Sequence, residues 1–168
     1  KADEMSPFTG EFSIAYNADG GHQGWVDAVT NSIKNTLGIE AVGNPYPDFK
    51  SLRDDITNRT ISGAFRSGWQ GDYPGLGNFL VPLYGTGGSS NDGDYSNPDF
   101  DAKLKEAASA KTSEESNALY NQSQETLFKD LPAIPLWYAN VTGGYSENVS
   151  NVDFGWNTTP LYYKITRK

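Results

Sequence analysis

The stretch FSIAYNADGGHQGWVDAVTNSIKNTLGIEAV, residues 12–42, decides the fold. Its first five residues alternate in the way that predicts a strand. Apolar side chains then recur at spacings of three and four from Gln23 to Leu37, which predicts one buried face of a helix. Gly38 suits the position after the helix end, and Asp19 suits its cap. Residues 39–42 predict another strand, so the stretch is a strand–helix–strand unit.

The chain after this unit continues the same alternation. A second helix is predicted from Asp48, as its cap, to about Thr60, and a strand is predicted over residues 63–69. The inner face of that helix is formed by Phe49, Leu52, Arg53 and Ile56. Residues 85–93 are a loop by their glycine content. The alternation of strands and helices predicts an α/β domain.

Two helices and a strand are predicted after this loop. Asn97 with Pro98 opens the first helix, and Thr112 with Glu115 opens the second as a capping box. Pro132 ends the second helix. Residues 133–140 predict a strand with edge or kinked character, because Pro135 lacks an N–H group.

Composition excludes several functional classes. The chain has 168 residues, enough for one domain with a core, and a net charge of −8, which disfavours nucleic acid and anionic membranes as partners. It contains no cysteine, which removes disulfides, thiolate zinc sites and cysteine nucleophiles. No apolar run is long enough to span a membrane. We therefore expect no metal and no cofactor.

No catalytic set emerges from the sequence. His22 is the sole histidine and is expected at the surface, and no nucleophile motif accompanies it. Glycoside hydrolysis would need Asp72 and a second acid in one cleft, and Asp92 or Asp94 would serve only if their loop folds back. We expect no enzyme and no catalytic residue, and a small secreted hydrolase remains an alternative.

Asp72 stands out in the segment FRSGWQGDYPGLGNFL, residues 65–80. It lies near Trp69 and beside Tyr73 on a turn that follows a predicted strand, where α/β folds place ligand groups. An ionised acid among aromatic side chains needs a cationic partner, and the amino group of a ligand would serve. Alternatively, Asp72 pairs with Arg66 or a lysine, or only caps the turn. Composition leaves both interpretations open.

The order of several segments resembles the extracytoplasmic solute-binding proteins of ABC importers for oligopeptides and dipeptides, known as family 5. The resemblance lies in the strand–helix–strand unit and in three further segments, which are GWQGDYPGLG, NDGDYSNPDFD and LPAIPLWY. It covers most of residues 12–140. It implies a periplasmic-binding-protein-like lobe of type II that is a fragment of a larger two-lobed protein. Residues 1–140 would be part of the second-lobe ligand-binding domain, and residues 141–168 a tail that crosses back to the first lobe.

The resemblance also implies a function and a set of site residues. The family captures peptides for import, and its aspartate in this motif holds the peptide's α-amino group, a role that falls on Asp72. Trp69 would line a side-chain pocket and Tyr73 would support its wall. Asn91 and Tyr95 match positions near the cleft.

Partners and location follow from the same resemblance. The closed, peptide-loaded form would dock as a monomer on the permease subunits of an ABC transporter. The protein would be extracytoplasmic, in the periplasm or on the cell surface, with a lipid anchor on a missing N-terminal segment as one option. Another solute is the alternative within the family: a nickel complex, or an oligosaccharide stacking on Trp69 and Trp137.

Overall fold

The computed structural model describes Phe8 and residues 10–168. Contacts between residues divide the chain into two units, the first ending at Gly68 and the second beginning at Trp69. Within the described residues, no helix combines the length and apolarity that crossing a membrane requires.

The first unit is built on a parallel three-stranded sheet. Its strands are β1 (Phe12–Asn17), β2 (Ala41–Tyr46) and β3 (Ala64–Phe65), in the order β2-β1-β3. The helices α1 (Gln23–Leu37) and α2 (Phe49–Thr57) connect the strands. The predicted alternation of strands and helices is confirmed for this unit.

Alternate residues of β1 contact different helices. Ile14 belongs to a cluster with Val26 of α1, whereas Ala15 belongs to a cluster with Leu52 and Ile56 of α2. Successive side chains of a strand point to opposite faces, so one central strand supplies both clusters.

Several predicted boundaries shift by a few residues. β2 begins at Ala41 and continues to Tyr46 through Pro45, although the sequence predicted a strand over residues 39–42. Proline is tolerated there because β2 is an edge strand. The strand predicted over residues 63–69 is only two residues long.

One predicted helix cap is confirmed and another is wrong. The carboxylate of Asp48 accepts a hydrogen bond from the amide of Ser51 at 2.7 Å, as predicted for the cap of α2. Asp19 does not cap α1, because it lies in a 3-10 turn before His22 and accepts instead from the side chain of Asn17 at 2.6 Å. Phe49 is also less buried than predicted, with 47% of its surface exposed.

The second unit is mainly helical in its first half. It contains α3 (Gly77–Tyr84), α4 (Pro98–Ser109) and α5 (Ser113–Asp130). Both predicted caps are confirmed: the side chain of Asn97 accepts from two amides of α4, and that of Thr112 accepts from the amide of Glu115 at 3.1 Å. The helices bury a shared core formed by Leu80, Phe100 and Leu104.

The predicted strand over residues 133–140 is wrong. These residues are exposed and have no regular structure, and Tyr138 is 100% exposed. Strands need a partner, and the only sheet among the described residues of this unit is the antiparallel pair β4 (Val149–Ser150) and β5 (Thr166–Arg167). Pro135 removes one further ladder donor.

Candidate functional site

A buried asparagine holds the loop that carries Asp72. We call residues 69–76, which lead into α3, the Asp72 loop. Asn78 lies in the first turn of α3 and is only 6% exposed. Its Oδ1 accepts from the amide of Asp72 at 2.9 Å and from Nε1 of Trp69 at 3.2 Å, and its Nδ2 donates to Oδ2 of Asp72 at 3.2 Å. Asn78 therefore fixes Trp69 and Asp72 relative to each other.

The carboxylate of Asp72 is exposed to solvent. Its hydrogen bond comes from a neutral amide, and it forms no ion pair with the described residues of its own unit. Within the described part of this unit, therefore, no lysine neutralises the carboxylate of Asp72. A carboxylate can accept several hydrogen bonds, so Asp72 keeps the capacity to bind a cationic donor.

Tyr73 extends from the same loop and is 54% exposed. An open depression follows it, lined by Pro74, Gly75, Leu76, Phe79, Asn117 and Asn121. Helix α5 comes close to α3 here, since a Cβ atom at Gly77 would lie 2.7 Å from the hydroxyl oxygen of Tyr120. Burial, and to a smaller extent Tyr73, raise the pKa of Tyr120.

Asn91 is buried and holds the glycine-rich loop together. Its Nδ2 donates to the carbonyl oxygen of Gly85 at 3.0 Å and to that of Tyr95 at 2.7 Å, and its Oδ1 accepts from the amide of Tyr95 at 3.0 Å. Both polar atoms of the side chain thus serve the backbone of this loop.

Tyr95 directs its hydroxyl group towards the end of α5. The hydroxyl donates to Oδ2 of Asp130 at 2.7 Å, and Asn97 donates to the same oxygen at 2.8 Å. Burial, followed by this hydrogen bond, raises the pKa of Tyr95 to about 12, and the two bonds lower the pKa of Asp130. The ring lies edge-on to Phe100 at 5.7 Å between centroids.

The five residues singled out in the sequence fall into two groups. Trp69, Asp72 and Tyr73 share one loop, whereas Asn91 and Tyr95 share another. The first group is bonded to Asn78, whereas the second is bonded to Gly85 and Asp130.

Sequence reasoning missed three residues around Asp72. These are Asn78, Gln70 and Trp156, of which the last two link the loop to the C-terminal tail. A polar residue directly before the apolar run FLV was the only local sign of Asn78. The tail contact joins residues about ninety positions apart and leaves no local sign.

Comparison with known proteins supports the resemblance found in the motifs. The chain is 30% identical over 131 residues to the periplasmic murein peptide-binding protein MppA of Escherichia coli, covering 77% of this chain and 24% of that protein. It is 41% identical over 71 residues to the heme-binding protein A of Haemophilus influenzae, covering 41% of this chain and 13% of the relative. No protein-family model matches the chain.

Solved structures give the same result. The unliganded open form of MppA matches 78% of this chain and 25% of its own, with a TM-score of 0.70 and 26% identity. OppA of Haemophilus influenzae in complex with RPPGFSPFR matches 73% of this chain and 24% of its own, with a TM-score of 0.67 and 25% identity. HbpA2 of Haemophilus parasuis shares the fold over 99% of this chain and 34% of its own, with a TM-score of 0.74 and 17% identity.

These similarities define the class of protein. The fold is that of the type II periplasmic binding proteins, as predicted. The homologues of this chain are the periplasmic oligopeptide- and dipeptide-binding proteins, so the family resemblance is confirmed. The chain spans about a quarter of the length of these peptide-binding relatives.

Proposed function

We propose that this chain is part of a solute-binding protein that captures peptides for an ABC importer, with Asp72 binding the peptide's α-amino group. The observation that carries the proposal is the state of Asp72. Its carboxylate is fixed by the buried Asn78 and exposed to solvent, and it forms no ion pair within the described part of its unit. Such a carboxylate can accept a charge-assisted hydrogen bond from the ammonium group of a ligand.

The energy of this contact is sufficient to matter for affinity. A hydrogen bond to a charged group contributes roughly 1.5–3 kcal/mol when water is excluded. Asp72 is exposed in this structure, so the full value requires that a bound ligand shields it. Closure of two lobes over a peptide would provide that shielding.

The other site residues have supporting roles in this proposal. Trp69, whose indole nitrogen is already bonded to Asn78, presents its ring to a ligand side chain, and the exposed Tyr73 forms part of the wall. Asn91 and Tyr95 lie near the cleft. Because their polar groups are engaged within the protein, we assign them to shaping the loop at the cleft rather than to hydrogen-bonding a peptide.

The remaining proposals concern the complete protein. Residues 1–140 contribute to the second, ligand-binding lobe, and residues 141–168 cross back towards the first lobe. The closed monomer docks on an ABC permease outside the cytoplasm, in the periplasm or at the cell surface, with lipid anchoring as one option. The peptide-binding homologues are periplasmic, which supports the location.

A non-peptide solute is the second candidate. The 41% identity to a heme-binding relative over 71 residues supports it, since that protein bears a name for a different ligand. An oligosaccharide or a nickel complex belongs to the same candidate. Any of these ligands would lack the α-amino group, so its binding should be indifferent to Asp72.

Native mass spectrometry of the complete protein tests the proposal. The protein is purified gently from its host in three forms: unaltered, Asp72→Asn, and Glu125→Gln as a control that removes an exposed acid on α5. We expect a spread of bound masses that match peptides, which the control keeps and Asp72→Asn loses. The affinity for a free-amine peptide should fall roughly 10- to 100-fold in Asp72→Asn.

Three outcomes would overturn the proposal or a part of it. A single non-peptide mass would replace peptide capture by capture of another solute. Peptides retained equally by Asp72→Asn and Glu125→Gln would keep the peptide function but remove Asp72 as the amine anchor. Turnover of a bound glycoside would point to the hydrolase alternative.

A further inference from the structure

The C-terminal tail contacts the Asp72 loop through a hairpin. We call residues 153–161 the tail hairpin. The amide of Leu161 donates to the carbonyl of Asp153 at 2.9 Å, and the amide of Gly155 donates to that of Thr159 at 2.9 Å. Thr158 at the turn has a φ of 64°, and an ion pair between Lys164 and Asp153 at 3.1 Å adds to the base of the hairpin.

Gln70 reaches from the Asp72 loop to the turn of this hairpin. Its Nε2 donates to the carbonyl oxygen of Asn157 at 2.5 Å and lies 3.3 Å from Oγ1 of Thr158 and 3.5 Å from Oγ1 of Thr159. One side-chain amide thus contacts three successive residues of the tail. Gln70 stands two positions before Asp72.

Aromatic packing reinforces the contact at the next residue. Gly71 is buried, and a Cβ atom placed there would lie 3.2 Å from the ring of Phe79 and 3.3 Å from the ring of Trp156. The backbone immediately before Asp72 therefore lies close to both α3 and the tail hairpin. Even the Cβ of an alanine at this position would require the two rings to shift by a few tenths of an ångström.

We infer that Gln70 is a positioning residue for the carboxylate of Asp72, and that the tail hairpin is a structural part of the peptide site. Asn78 of α3 holds the Asp72 loop at one end, whereas the contacts of Gln70 with Asn157 and of Gly71 with Trp156 hold it against the tail. With both contacts in place, the backbone at residues 70–72 is fixed before ligand arrives. Such preorganisation lowers the entropic cost of binding.

This inference rests on the proposed function, because Gln70 would act through Asp72. Gln70→Met keeps the length of the side chain but removes its hydrogen-bond donor. We expect it to lower the affinity for a free-amine peptide about fivefold, which corresponds to the free energy of one neutral hydrogen bond. Gln122→Met is the matched control, since Gln122 is exposed on α5.

A double-mutant cycle in the complete protein provides the test. Affinities for a peptide and its N-acetylated form are measured in the unaltered protein, Gln70→Met, Asp72→Asn and the double variant. We expect Gln70→Met to lower the affinity for the free-amine peptide more than the affinity for the acetylated one. Once Asp72 is replaced, Gln70→Met should lower neither affinity further. Equal losses for both peptides, or additive losses in the double variant, would overturn the positioning role.

Hydrogen exchange separates this inference from the proposed function. Gln70→Met should accelerate amide exchange in residues 69–73 and in the tail hairpin, whereas Gln122→Met should not. If Asp72→Asn binds peptides normally, the amine anchor fails, and faster exchange in Gln70→Met still supports the tail as a holder of the loop. Unchanged exchange in both segments would reject the tail contact itself.

Discussion

Replacing Asn78 by alanine tests the internal support of the candidate site. The change removes three hydrogen bonds at once: those to the amide of Asp72, to the indole of Trp69 and to the carboxylate of Asp72. Each of the first two is worth about 1 kcal/mol, and the third counts little because the carboxylate is exposed. The free energy of opening the Asp72 loop should therefore fall by about 2 kcal/mol.

The assay is amide hydrogen exchange, followed for residues 69–73 in the complete protein. A loss of about 2 kcal/mol corresponds to exchange about thirtyfold faster if the loop opens locally. Asn35→Ala on α1 is the control, because it removes an exposed asparagine from the first unit, outside the Asp72 loop and the depression beside it. Protection of the Asp72 amide that is the same in Asn78→Ala and Asn35→Ala would refute the reasoning.

Two further changes test the packing of α3 against α5 and the charges around Tyr95. Gly77→Ala should destabilise the protein by about 1 kcal/mol, because the new methyl group would lie 2.7 Å from the hydroxyl of Tyr120, and thermal unfolding measures this loss. Tyr95→Phe should flatten the dependence of stability on pH at both ends. In the unaltered protein, the interactions that raise the pKa of Tyr95 stabilise the fold at pH values below the ordinary pKa of 10.0. This stabilisation is lost as the pH rises through about 12. The hydrogen bonds that lower the pKa of Asp130 stabilise the fold at pH values above the ordinary pKa of 3.8. This stabilisation is lost as the pH falls through the lowered pKa.

Controls decide what these results mean. Gly93→Ala should leave the melting temperature unchanged, because a Cβ atom there would meet no atom within 4 Å. Tyr138→Phe removes a hydroxyl from a side chain that is 100% exposed and should leave the pH profile unchanged. A Gly77→Ala protein that melts like Gly93→Ala would contradict the close approach of α3 and α5. A Tyr95→Phe profile that matches that of Tyr138→Phe would contradict the coupling to Asp130.

Local patterns predicted the elements of this chain well where the signal itself is local. Helix α1 was predicted with its observed bounds, because its apolar spacing lies within 15 residues. The caps Asp48, Asn97 and Thr112 were predicted because a capping side chain bonds amides only two or three positions ahead.

The errors occur where longer-range packing decides the structure. Helix α3 escaped prediction because Gly77 and Pro82 are poor helix residues, yet burial of Leu80 against α4 outweighs their cost. Residues 133–140 were predicted to be a strand on their composition, but they do not pair with β4–β5, which is the only sheet in the described part of this unit. In the candidate site, Asp72 was singled out from its motif, whereas Gln70 was missed because its partner Asn157 is 87 positions away.

The contact between Gln70 and Asn157 also bears on when the site forms during folding. It closes a loop of 87 residues, and such closure costs more chain entropy than the contacts within α1 or between α4 and α5. During synthesis, the Asp72 segment leaves the ribosome long before the segment that completes it. We therefore expect the helices to form first and the Asp72 loop to gain protection last, an order that pulse-labelled hydrogen exchange during refolding would reveal or contradict.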